Sequence, residues 1–122
     1  MNISELSAEE RVALMGLLKL TVSADHEMSP GESNELLRIA DEMGRPNFIE
    51  ARKDAQDQFK SLDDIKAALA AVTRVEARNQ IYRAALEVAK PDDIVEDEAF
   101  ILRWVAETWG LSVDPKTFAL LD

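Results

Sequence analysis

Cysteine is absent from the sequence, and its absence excludes disulfide frameworks, thiolate nucleophiles, iron–sulfur clusters and the usual cysteine zinc sites. Histidine occurs once, as His26, too few for the two-histidine motif of metal hydrolases. Neither a Gly-x-Ser-x-Gly elbow nor a phosphate-cradling glycine loop is present, so no recognised catalytic set remains and the chain reads as a non-enzyme. Basic residues are scarce, with 14 Lys and Arg against 24 Asp and Glu and a net charge of −10. Such a surface repels phosphate backbones and anionic membranes, which argues against nucleic-acid partners and favours cations or basic protein surfaces. The longest apolar run, Val12 to Val22, is interrupted by Gly16, Lys19 and Thr21 and is too short to span a bilayer. The N-terminus carries Glu5, Glu9 and Glu10 where a signal peptide would have a basic start. A cytoplasmic protein without membrane insertion is expected.

What the sequence does have is apolar content. At 47% hydrophobic residues it exceeds what an acidic disordered tail contains, and 122 residues suffice for one hydrophobic core, so a single domain over residues 1–122 is expected. Ser7-Ala8-Glu9-Glu10 has the form of a capping box and predicts a helix from about Ala8 to Ser23, apolar around most of its circumference and therefore central. Ser29-Pro30-Gly31-Glu32 opens a second helix, stopped by Gly44 and Pro46. Phe48, Arg52, Ala55 and Phe59 share one face of a third helix. Ser61 and Asp64 cap a fourth, which bears Ile65, Ala68, Leu69 and Val72. A fifth runs from about Val75 to Lys90, stopped before Pro91, and a sixth from Glu96 to Trp109, stopped by Gly110. Asp114-Pro115 predicts a short terminal helix ending near Leu121. No segment alternates with period two, so the fold class is all-α, a compact bundle of about seven helices.

The chain also repeats itself. Placing each residue over the one 66 positions later pairs Leu20 with Leu86, Val22 with Val88, Glu32 with Glu98, Leu36 with Leu102, Ala40 with Ala106 and Gly44 with Gly110. Six identities in a 25-residue window exceed the roughly two expected from ordinary residue frequencies. Two related helix-loop-helix units, residues 20–44 and 86–110, are therefore expected.

Between the paired helices lie Ala24-Asp25-His26-Glu27-Met28-Ser29-Pro30 and Lys90-Pro91-Asp92-Asp93-Ile94-Val95-Glu96. The segment from Ala24 to Glu32 resembles the alanine-aspartate-glycine-glutamate-valine-serine-proline-glutamate-glutamate signature of the TerB-like family of bacterial tellurite-resistance operons. The resemblance covers nearly the whole chain in helix order. It implies an all-helical domain of two related halves, associated with metal-ion binding and stress-response complexes. His26 and Asp92 stand where the signature has glycine, and His and Asp are among the residues that best tolerate a left-handed turn. Pro91 replaces the signature aspartate in the second half and Gly31 replaces one glutamate in the first, each removing a potential ligand.

Calcium and similar hard cations take six to eight oxygens, from carboxylates and backbone carbonyls. Asp25, Glu27 and Glu32 in one half, and Asp92, Asp93, Asp97 and Glu98 in the other, are the only clusters dense enough to act as metal ligands, although neither has EF-hand spacing. No motif calls for an organic cofactor; a divalent cation such as calcium is the one candidate. The same residues have plainer explanations, since Glu32 and Glu98 occupy a capping position near a helix N-terminus and the loop carboxylates suit solvated turns. A protein partner is expected, and the alternative to an acidic-loop site is an apolar, aromatic groove of Phe100, Trp104 and Trp109. Aromatic residues at helical spacing also serve as core, and of the two tryptophans Trp109, nearest the helix end, is expected to be the more exposed.

Overall fold

The computed structural model describes residues 2–24, 30–90, 94 and 96–121. A short 3-10 turn, Ile3–Glu5, precedes six helices: α1 Ala8–Ala24, α2 Pro30–Met43, α3 Arg45–Gln58, α4 Leu62–Ala70, α5 Val75–Ala89 and α6 Glu96–Trp109. Their ends follow from local chemistry. The Ser7 hydroxyl accepts from the Glu10 amide at 3.2 Å while the Glu10 carboxylate accepts from the Ser7 amide at 2.7 Å, a reciprocal capping box that satisfies two donors left over at the start of α1. Ser61 accepts from the Asp64 amide to start α4. Gly44, at φ +96°, both closes α2 and opens α3. Gly110, at φ +65°, ends α6 in a Schellman arrangement, its amide donating to Glu107 and the Leu111 amide to Ala106.

α1 is the central element and packs against α3, α4, α5 and α6. Its apolar residues point several ways, and Leu14, Leu17 and Leu18 are buried together with Ile39, Leu69, Ile81, Tyr82 and Leu102 from the surrounding helices. Thr21, a polar residue fully enclosed in α1, donates its hydroxyl to the carbonyls of Leu17 and Leu18 at 3.1 and 3.0 Å, so its burial leaves no donor unpaired. α2 packs against α5, as α6 does against α1, so each first helix of the expected repeat lies beside the second helix of the other unit. Arg38 of α2 reaches Glu87 of α5 across the first of these contacts, and the Trp109 indole donates to the Leu69 carbonyl at 2.9 Å, tying α6 to α4.

The expected seventh helix does not form, which corrects the count to six among the described residues. Asp114 caps a single turn, accepting from the amides of Lys116 and Thr117 at 2.8 and 2.9 Å, but Phe118 then adopts φ +63° and the chain doubles back. Val113 and Leu120 meet in an isolated antiparallel bridge. The reversal is held from outside: the Phe118 ring is buried and its carbonyl accepts from the Tyr82 hydroxyl at 2.6 Å. These tertiary contacts override a local capping signal that by itself favours helix.

Candidate functional site

The acidic connections lead into the first turns of α2 and α6. Asp25, Glu27, Asp92 and Asp93, and with them His26, Pro91 and the residues Ser29 and Val95 that precede the two helices, lie outside the described residues. Glu32, Asp97 and Glu98 are described. Glu32 and Glu98 are each the third residue of their helix, and both are enclosed, at 1% and 2% exposure. Asp97 is exposed, as is Glu96, which pairs with Arg103 at 3.1 Å.

Burial of a carboxylate is costly unless charge and lone pairs are compensated, and both Glu32 and Glu98 are held by interactions within the chain. The helix N-termini add a favourable dipole. Their depth follows from helical register. Glu32 is in phase with Leu36, Ile39, Ala40 and Met43, and Glu98 with Leu102, Val105, Ala106 and Trp109, so each glutamate is the first member of a stripe that faces the core. The sequence carried this signal, since the 66-residue offset aligns the two stripes member by member, but a capping role for Glu32 and Glu98 does not by itself predict burial.

Among the described residues no group of three His, Cys, Asp or Glu side chains is close enough to hold a metal ion. A cation site using Glu32, Asp97 or Glu98 would therefore need the loop carboxylates Asp25, Glu27, Asp92 and Asp93 to supply most of its oxygens.

The aromatic set of α6 is divided. Phe100 is 66% exposed and Trp104 is partly buried, with the Lys66 ammonium 5.1 Å from its ring centroid. Trp109, expected to be the more exposed tryptophan, is the buried one at 6%. At about 100° per residue, Phe100 and Trp104 share a face while Trp109 stands about 180° from Phe100. The three therefore do not line one groove.

Charge pairing that sequence reasoning missed lies elsewhere. The Arg74 guanidinium donates to both Glu10 oxygens, from Nε at 2.8 Å and from Nη2 at 2.5 Å. That fork, with the Ser7 bonds, holds the Glu10 carboxyl far below the ordinary range, at about 2. Burial pushes the Tyr82 phenol up to about 12, consistent with a hydroxyl that acts as a permanent donor to Phe118.

The class these observations define is an all-helical domain whose central helix is wrapped by its neighbours and whose two acidic connections each deliver a glutamate into the core. No family model, curated protein or solved structure matches the chain. No helix among the described residues is long and apolar enough to cross a membrane.

Proposed function

We propose that the chain is a non-catalytic interaction module of the TerB-like type, working in the cytoplasm in a bacterial stress response, with a divalent-cation site in its acidic connections. The observation that carries the reading is the burial of Glu32 and Glu98, each the third residue of its helix and 66 positions apart in the sequence. Each is a short step in sequence from the loop carboxylates, Asp25 and Glu27 on one side and Asp92 and Asp93 on the other. A carboxylate buried against the core and close in sequence to further carboxylates is a rigid anchor for a hard cation, because packing holds it in place while the neighbouring residues can supply further oxygens. Cation binding by residues of both connections would couple cation concentration to the surface offered to a partner protein.

Titration with calcium, magnesium and manganese, followed by calorimetry and thermal melting, tests the reading. A site-specific cation stabilises the fold by mass action, about 2.7 kcal/mol at a hundredfold excess over Kd. Asp25→Asn and Asp92→Asn are expected to weaken the response. Unchanged melting at millimolar cation, or an undiminished response in both variants, would remove the metal from the proposal. A second reading is favoured by the exposure of Phe100 beside Trp104: a metal-independent adaptor that presents this face of α6 to its partner. Partner binding that is indifferent to divalent cations distinguishes it from the first.

A further inference from the structure

Phe48 and Arg52 of α3, with Phe59 just past its end, oppose Met15, Leu18 and Lys19 of α1 across a groove of about 380 Å³. The spacings are those of single helical faces, i, i+3, i+4 on α1 and i, i+4 on α3. Leu18 and Phe59 are buried and form the floor, Met15 and Phe48 are partly buried and form the walls, and Lys19 and Arg52 are exposed at the rim.

The charges of the groove oppose those of the molecule. Acidic residues outnumber basic ones 24 to 14 over the chain, yet of the ten described residues lining this groove none is acidic and two are cationic. Arg38, Arg45, Arg74 and Arg103 are each paired with a carboxylate; Lys19 and Arg52 enter no ion pair among the described residues. An apolar trough with a cation contributed by each of two helices complements a ligand with an aliphatic body and an anionic head. Its size favours a small molecule. A protein partner engages about 20–30 residues a side, whereas pockets of about 300–1,000 Å³ with a few placed polar groups are the usual form of small-ligand sites.

We infer that the groove between α1 and α3 binds a medium-chain aliphatic carboxylate, its chain against Leu18 and Phe59 and its head group between Lys19 and Arg52. The inference does not depend on the cation reading.

Decanoate and decyltrimethylammonium, equal in chain length and opposite in charge, are the probes, titrated into the full chain at neutral pH below their micellar concentrations. A surface acting through net charge alone would prefer the cationic probe; the groove is expected to prefer decanoate at least tenfold, with one saturable site by calorimetry. In protein labelled at the methionine methyls, the Met15 resonance is expected to shift with decanoate and that of Met43, buried in the core, to stay. The double variant Lys19→Gln, Arg52→Gln, with helicity checked by circular dichroism, is expected to lose at least tenfold in decanoate affinity and none for the cationic probe. Equal affinity for the two probes, an unmoved Met15 signal, non-saturating uptake or an unaffected double variant would each overturn the assignment. So would saturable binding of an acidic amphipathic peptide by a protein that ignores decanoate.

Discussion

Glu10 is at once the reciprocal partner of Ser7 in the first helical turn and the acceptor of both donors from Arg74, 64 residues away. Only the first role is local, and Ser7-Ala8-Glu9-Glu10 announced it. The second adds a pH dependence. The Glu10 carboxyl is lowered from 4.5 to about 2, chiefly by the Arg74 hydrogen bond, so the stability it contributes is present above pH 4.5 and is lost as pH falls toward 2. Because the guanidinium is about half exposed, screening reduces the contribution to about 1–2 kcal/mol. Urea unfolding of wild type and Arg74→Gln is expected to differ by that amount at pH 6 and by much less at pH 2; an equal difference at both would show that Arg74 acts through packing alone. Glu32 and Glu98 teach the complementary point. Their third-position placement was readable as capping, but their depth required noticing that each leads an apolar stripe.

The helices were legible as elements because their signals are confined to neighbouring residues: a hydroxyl reaching three positions along, a glycine just past the last turn, a stripe at helical spacing. The glycines separate what is local from what is not. Gly110 takes φ +65°, and a Cβ added there would meet nothing within 4 Å, so Gly110→Ala is expected to cost only the left-handed backbone, about 1–2 kcal/mol. Gly16 lies inside α1, where alanine would ordinarily gain about 1 kcal/mol. There, however, an added Cβ would sit 2.7 Å from the Phe59 ring and 3.0 Å from Ile65, and overpacking costs about 1–3 kcal/mol. Gly16→Ala is therefore expected to destabilise the protein, and Phe59→Leu in the same chain to recover part of the loss, whereas Gly110→Ala should not respond to Phe59→Leu. Additive behaviour at Gly16 in a double-mutant cycle would refute the close approach of α1 to Phe59.

Across the whole molecule, the last residues depend on Tyr82, whose hydroxyl reaches the Phe118 carbonyl, 36 residues away in sequence. Tyr82→Phe leaves that buried carbonyl without its donor and is expected to cost about 1–3 kcal/mol. Amide exchange around Phe118 and Ala119 should quicken more than in α1, and uniform protection across the chain would show that the bond does not hold the reversal. The residues alone specified an all-helical chain and where most helices begin and end, because caps, stops and periodicity act within a few residues. They also placed Phe48, Arg52 and Ala55 on one face of α3, without saying what stands opposite it. Tertiary structure decided that this face opposes α1 across a cation-rimmed groove, that Trp109 is core and Phe100 surface, that Arg74 serves Glu10, and that the final segment turns back. Each of these depends on which distant residues come into contact, and the packing of helices around α1 selects those contacts where sequence neighbours cannot.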